Sequence, residues 1–304
     1  MRDFQKLDPT ALKAFYYAAE SLNFTKAAEM AALTQSGISQ HISKLESQIG
    51  ASLFLRANRK LSLTEAGRTL RVFAESYLDQ LDSLFEVLGG QMQELKGLVR
   101  YAMPGSCLMT PHFPQLLVNR ESFFAGIDLD IQICHSEEVV DLLLAGQIDF
   151  GFITKTIGHK EIISEKFANE EYVLVANQEK SLRFDGPHEL REKNFINYPG
   201  MDLIFNNWQA TYFSKSQWQD LTNFAIRGRI NSLDGAITMV THGVGLGVFP
   251  RHCVAGPLSR KELFAYKGPA LKQNENPIYI IQLANKFPTA RVRKVLDSFW
   301  EMKS

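Results

Sequence analysis

The chain of 304 residues holds only three cysteines. Cys107, Cys134 and Cys253 are scattered and form no CxxC pair, which excludes a zinc ribbon and a disulfide framework. They fit reduced thiols in a cytoplasmic protein, either as small buried hydrophobes or with one acting as a redox sensor. Net charge is also missing. Lys and Arg number 33 and Asp and Glu number 33, so the chain is not a generally basic nucleic-acid binder. No apolar run reaches the roughly 20 residues of a membrane span. The opening Met-Arg-Asp-Phe-Gln-Lys has no apolar run either, so no signal peptide and no membrane partner are expected. His112, His135, His159, His188, His242 and His252 show no metal spacing such as HExxH, and no G-x-S-x-G elbow or Walker loop is present. The pairs Glu137-Glu138 and Glu170-Glu171 read as solvated surface or helix caps. No catalytic residue, metal or cofactor is expected, and the chain is read as no enzyme.

Apolar residues make up 45% and charged residues 22%, ordinary proportions for a globular protein. The length suffices for two or three compact units. The basic character is local. Residues 1–64 contain eight Lys/Arg against five Asp/Glu, an excess of three.

Within that region, Thr25 to Glu46 reads as two short helices with a tight turn between them. Thr25 is a candidate cap for the first helix and Thr34 for the second, because a hydroxyl can accept an orphan N–H in a first turn. On the second helix Ile38, Ile42, Leu45 and Ile49 recur at helical spacing and should face inward. Ser36, Gln40, Ser43 and Ser47 fall opposite, flanked by Ser39, His41 and Lys44, with Gln35 at the start. A helix entering a DNA major groove needs such a face. Amides pair with base edges, hydroxyls reach bases or phosphates, and small residues allow close approach. An ordinary surface helix would look similar. The next segment, Leu53 to Thr64, reads as a β-ribbon. Asn58 lies at its tip, and Arg56, Arg59 and Lys60 are placed for phosphates or the minor groove.

Phe24-Thr-Lys-Ala-Ala28, Thr34-Gln35, Ile38-Ser39, Leu45-Glu46, Ile49-Gly50, Leu53-Phe54 and Leu63-Thr-Glu-Ala-Gly67 resemble the N-terminal domain of LysR-type transcriptional regulators. The likeness departs at Ser36 and Gly37, where the family often has proline and alanine. Glycine inside a helix costs up to about 1 kcal/mol relative to alanine. The expected DNA-contacting set is Thr25, Thr34, Gln35, Ser36, Ser39, Gln40, Ser43 and Lys44 on the helices, with Arg56, Arg59 and Lys60 on the wing.

Asp8 and Pro9 open the first helix as cap and first helical residue. Thr64 caps a long helix to about Leu88. Leu70, Tyr77 and Leu84 are seven apart, as are Ala74, Leu81 and Leu88, forming a seam of about three heptads that implies a partner helix. In a two-fold dimer the partner is the same helix of a second chain. The alternative is packing on its own wing domain. Gly89-Gly90 breaks this helix, and Gly97 marks a second loose point.

From Leu98 strands alternate with helices, which argues for a parallel α/β sheet. Expected strands are Leu98–Met103, Asp128–Cys134, Asp149–Ile153, Glu171–Ala176, Phe195–Tyr198, Phe224–Arg229, Leu246–Pro250 and Tyr279–Leu283. Expected helices run from Thr110-Pro111 to about Arg120, over Glu137–Ala145 with Ser136 as cap, and over Leu203–Ser214, Leu233–Thr241 and Thr289–Met302. Gly243-Val-Gly-Leu-Gly247 is no dinucleotide fingerprint, because it follows a helix and precedes a strand. Gly243 is better read as a helix C-cap.

Leu143-Leu-Ala-Gly-Gln-Ile-Asp149-Phe-Gly and Val244-Gly-Leu-Gly-Val-Phe-Pro250 resemble the effector-binding domain of the same family. The resemblance implies an N-terminal winged helix-turn-helix domain (1–64), a linker and dimerisation helix with a hinge (65–96), and a C-terminal α/β effector-binding domain (97–304). The last would comprise two subdomains, 97–165 plus 269–304 and 166–268, similar to periplasmic solute-binding proteins. A ligand cleft then lies between the subdomains, where loops leave the carboxyl ends of strands. Gly105, Ser106, Ser136, Tyr198, Gly200 and Phe249 are the expected effector contacts, although each could merely close a turn. The cleft is expected to be apolar and aromatic and to take a small organic effector. Implied partners are double-stranded DNA carrying an interrupted inverted repeat, a second chain in a homodimer or homotetramer, and RNA polymerase. The rival reading is a solute-binding or enzymatic α/β protein whose N-terminal helices serve assembly only.

Overall fold

The computed structural model describes residues 7–57, 60–89 and 95–302. The chain divides into two compact units, the first running to Leu95 and including Phe287–Ala290, the second holding Lys96–Lys286 and the residues from Arg291 on.

The first unit contains α1 (Pro9–Ser21), α2 (Phe24–Ala31), α3 (Gln35–Ile49), β1 (Phe54–Ala57), β2 (Lys60–Leu63) and α4 (Glu65–Gly89). Asp8 caps α1 by accepting from the Thr10 amide at 2.9 Å, and Pro9 takes the first helical position. The cap of α2 is Asn23, not Thr25. Asn23 Oδ1 accepts from the Thr25 and Lys26 amides at 2.9 and 3.1 Å, so the helix starts earlier and Thr25 lies inside its first turn. Ala11, Ala14, Ala18 and Ala27 are fully buried, small side chains that let the helices approach closely around Leu12 and Phe15. Ile38, Ile42 and Leu45 of α3 enter this core as expected. Ile49 does not. It is 41% exposed, because the last turn of α3 runs past the packed helices.

The ribbon is antiparallel, with Phe54 opposite Leu63 and Ala57 opposite Lys60. Asn58 and Arg59 lie outside the described residues, as do the side chains of Arg56 and Lys60. Thr64 caps α4 by accepting from the Gly67 amide at 2.9 Å. The seam of α4 is divided. Ala74 is fully buried in the core of its own unit, with Leu70 and Tyr77 packed on that core. These three therefore satisfy the alternative of packing on the wing domain. Leu81 is half-buried, and Leu84 and Phe85 are 51% and 67% exposed. The side chain of Leu88 is outside the described set.

The second unit runs β3 (Gly97–Met103), α5 (Gly105–Leu108), α6 (His112–Phe124), β4 (Ile127–Ile133), α7 (Ser136–Leu144), β5 (Phe150–Ile153), β6 (Ile162–Glu170), β7 (Tyr172–Ala176), β8 (Asn194–Asn197), α8 (Met201–Tyr212), β9 (Ala225–Arg229), α9 (Leu233–Thr241), β10 (Gly247–Pro250), α10 (Ala255–Ser259), β11 (Phe264–Ala265), β12 (Asn276–Leu283) and α11 (Ala290–Glu301). A five-stranded sheet has the order β4-β3-β5-β12-β6. It is mixed rather than wholly parallel. β3 is parallel to β4 and β5, while β12 enters antiparallel to β5 and β6. β6 was not anticipated, and its pairing with β12 runs to Glu170, whereas the expected subdomain limit lay at 165/166.

A three-stranded antiparallel sheet, β10-β7-β11, and a parallel pair, β8-β9, make the second group. A bridge between Phe195 and Leu246 links them. Their core gathers Phe195, Phe205, Trp208, Val248 and Phe249. Ser136 is the first residue of α7, not its cap, which is His135. Gly243 follows α9 with φ +79°, and the Val244 amide returns to the Met239 carbonyl at 3.1 Å, a helix stop that glycine permits.

Candidate functional site

The first candidate surface is the outer face of α3. Thr34 Oγ1 accepts from the Gly37 amide at 3.0 Å and lies 3.1 Å from Ser36 Oγ, so the helix start is fixed by its own side chains. Gln35, Ser36, Gln40, Ser43 and Lys44 are exposed and Ser39 is half-buried; Ser36, Gln40 and Ser43 fall opposite Ile38, Ile42 and Leu45, Ser39 and Lys44 flank them, and Gln35 stands at the helix start. Thr25 is exposed on α2. Lys44 Nζ pairs with Asp8 Oδ2 at 3.1 Å, and that contact pulls the Asp8 carboxyl below its usual range. Glu46 Oε1 accepts from the Leu53 amide at 2.7 Å, tying α3 to the base of the ribbon. The face presents two amides and several hydroxyls, with the acidic Glu46 turned to structural use. It can donate to and accept from base edges and phosphates.

The second candidate is a cleft of about 520 Å³ in the C-terminal unit. It is lined from the five-stranded side by Gly105, Ser106, Ile133, His135, Ser136, Thr154 and Lys155. From the other side come Tyr198, Gly200, Leu203, Asn231, Ser232 and Asp234. The starts of α7, α8 and α9 all border it; Ser232 Oγ caps the Gly235 amide of α9 at 3.2 Å, and the remaining first-turn N–H groups favour anionic or carbonyl oxygens. Gly200, at the start of α8, has φ +86°, a conformation that glycine adopts without strain.

Five of the six expected contacts thus border one cavity. Phe249 does not. β10 is buried along its whole length, and the fully buried Phe249 ring stacks on Tyr198 at 5.2 Å behind the cleft wall. Tyr198 is itself 5% exposed, its hydroxyl donating to the Val248 carbonyl at 2.6 Å, so only its edge reaches the cavity. Tyr198 is the one Phe, Tyr or Trp among the lining residues, with the His135 imidazole beside the other wall, so the lining is mostly aliphatic and polar. Ser136 Oγ accepts from the Thr154 amide at 3.1 Å, and Lys155 is paired with Glu137. Thr154, Lys155, Asn231 and Ser232 were not anticipated. They follow β5 and β9, so the rule that ligands meet loops beyond strand ends, applied to those strands too, finds them. Among the described residues no group of three or more His, Cys, Asp or Glu could hold a metal ion, and no helix is long and apolar enough to cross a membrane.

Comparison with known proteins places both regions. Residues 9–68 match the family model described as bacterial regulatory helix-turn-helix protein, lysR family, and residues 93–303 match the LysR substrate binding domain. The HTH-type transcriptional regulator YofA of Bacillus subtilis is 24% identical over 303 residues, covering 96% of this chain and 98% of that protein. Among solved structures, full-length LysG of Corynebacterium glutamicum with bound effector Arg is 16% identical with a TM-score of 0.60, covering 97% of each chain. Full-length CbnR complexed with its target DNA is 20% identical with a TM-score of 0.52, covering 96% of this chain and all of that one. The chain belongs to the LysR family of transcriptional regulators, with a helix-turn-helix DNA-binding domain followed by a LysR substrate-binding domain.

Proposed function

We propose that this regulator reads an interrupted inverted repeat in double-stranded DNA as a homodimer or homotetramer in the cytoplasm, and answers to a small organic effector. The observation that carries the DNA reading is the outer face of α3, where Gln35 and Gln40 stand exposed on a helix whose other face is locked into the core. In this reading Gln35, Ser36, Ser39 and Gln40 contact bases. Thr25, Thr34, Ser43, Lys44 and the wing residues Arg56, Arg59 and Lys60 hold the backbone. The match of residues 9–68 to a regulatory helix-turn-helix favours this over a domain used for assembly alone. Functional regions are assigned as 1–64 for DNA, 65–96 for the linker and 97–304 for the effector, and no catalytic step is assigned.

The effector reading rests on the cleft bordered by Gly105, Ser106, Ser136, Tyr198 and Gly200. The helix starts around it suit a ligand with a carboxylate or carbonyl. Closure on the ligand would rotate the two halves of the domain and change the spacing of paired reading heads, with RNA polymerase sensing the result. Such a ligand must bind one state better than the other. The dimer contact falls to the exposed part of α4, Leu84 and Phe85, since Ala74 is committed to its own unit. The test is binding to the DNA upstream of the protein's own gene and to selected genomic fragments, across a salt series, beside a Gln35→Ala/Gln40→Ala variant. A selected motif lost in the variant supports the reading. Absence of any selected motif overturns it.

A further inference from the structure

The two walls of the cleft carry unequal charge. Among the lining residues Lys155 is the one lysine or arginine, and Glu137 and Asp234 are the carboxylates. Lys155 and Glu137 are paired on the five-stranded side, and that contact holds the Glu137 carboxyl below its usual range. These two charges cancel. Asp234 stands on the opposite wall, in the first turn of α9. Its carboxylate makes no hydrogen bond or ion pair among the described residues.

The fold gives that carboxylate no structural task. It does not cap its own helix, because Ser232 Oγ already accepts from the Gly235 amide at 3.2 Å. It has no cation of the cleft to meet, because Lys155 is held by Glu137. The exposed Arg229 borders an adjoining hollow, together with Asp202, and does not line the cleft; Tyr198, Pro199, Gly200 and Asn231 line both spaces. In the open cleft water solvates Asp234. Closure on a ligand removes that water, and a carboxylate then needs a positively charged donor. A ligand bearing only a carboxylate would add a second negative charge to this lining. One that also brings an ammonium group supplies the missing donor and leaves the net charge of the cleft unchanged.

We infer that the effector carries a protonated amine beside its carboxylate, as an amino acid does, and that Asp234 selects for the amine. The carboxylate faces the wall of Ser136, Thr154 and Lys155, and the ammonium faces Asp234, with Asn231 and Ser232 beside it. Contacts between an ionised donor and an ionised acceptor are the short, strong ones, so the amine is what the site discriminates. A cleft of about 520 Å³ is large enough for a molecule of this kind. The inference rests on the cleft as the effector site and narrows the class of ligand it takes.

The full-length protein is titrated calorimetrically with each standard L-amino acid and, beside it, with the same acid lacking the amino group. At least one amino acid should bind about tenfold or more tightly than its amine-free counterpart, the worth of a hydrogen bond to a charged group. Asp234→Asn should bring the two members of that pair together. Asp202→Asn, which removes a carboxylate from the adjoining hollow, should leave the preference intact. That control separates a contact at Asp234 from the general negative charge of the region. Asp234 and Asp202 are both exposed, so both variants should fold, and thermal unfolding checks it. A preference that survives in Asp234→Asn, or one lost equally in Asp202→Asn, overturns the inference. Amine-free acids that bind as tightly as the amino acids overturn it too, and if their binding weakens in Ser136→Ala the effector site itself stands. Binding by neither set of probes overturns the effector site along with this inference.

Discussion

On α3, Gln35, Ser36, Gln40 and Ser43 point outward while Ile38, Ile42 and Leu45 point inward. Around the cleft, Ser106, Ser136, Lys155 and Tyr198 face a ligand space and hold its walls together at once, through His252, Thr154, Glu137 and Val248. In the reading head, recognition and stability fall to different side chains. In the cleft they share the same residues, Ser106 through its backbone carbonyl and Ser136, Lys155 and Tyr198 through their side chains. The first arrangement leaves the recognition face open to change at little structural cost. The second makes ligand contact and wall stability change together.

The sharpest way to break this contrast is at Gln35 and Gln40. Changing both to alanine should weaken specific DNA binding by roughly 100-fold, given about 1–3 kcal/mol for each good base contact. The same change should move stability by no more than about 0.5 kcal/mol, as exposed substitutions do. Fluorescence anisotropy beside denaturant unfolding checks both halves. A large loss of stability in this variant would erase the separation claimed for the reading head. The converse is Leu45→Ala, which empties a fully buried position and should cost about 2–5 kcal/mol in denaturant unfolding.

Where β6 ends in the second unit, the buried Glu170 carboxyl adds a test through pH, made with Glu170→Gln. The folded carboxyl titrates at about 7 and the unfolded one near its ordinary 4.5, so the native chain binds the extra proton between those values. Stability contributed by the neutral form is complete below about 4.5 and falls as pH rises through 7. Relative to the native chain, Glu170→Gln should gain about 3 kcal/mol between pH 4.5 and 8, from 1.36 kcal/mol per unit. Unfolding at pH 5 and 8 measures it, and equal differences at the two values would remove Glu170 from the account. The smallest effects are at the helix starts. Thr34→Ala and Ser136→Ala should each cost about 1 kcal/mol, the first by losing a cap and the second by leaving the Thr154 amide unpaired. Only the second should also change ligand binding, by calorimetry with an identified effector.

The reading head was legible because its determinants are local. Thr34, the inward Ile38, Ile42 and Leu45, and the polar face all lie within 15 residues, where one periodicity governs them. What escaped depended on neighbours. Asn23 and Thr25 are both plausible caps, and only the path of the chain before Phe24 decides between them. Ile49 keeps the period of the inward face but overhangs the core. In the second unit, β6 hides because it alternates poorly and pairs only with a strand more than a hundred residues later. Phe249 misled because a strand end usually faces a crevice, whereas β10 is covered on both faces. The cavity itself brings together residues from Pro104 to Asp234, which no single periodicity spans.

The sheet order β4-β3-β5-β12-β6 carries a consequence for synthesis. β12 lies between β5 and β6, yet it is encoded after the whole of the second sheet system. While the ribosome is still making residues 171–275, β5 shows an open edge and β6 has no pairing partner, since its ladder is to β12 alone. Those edges stay available to wrong partners until Asn276–Leu283 emerges and fills the gap. A message cut between codons 171 and 275 encodes a finished reading head followed by an unfinished sheet, so such truncated products should aggregate through the C-terminal unit while the N-terminal one folds.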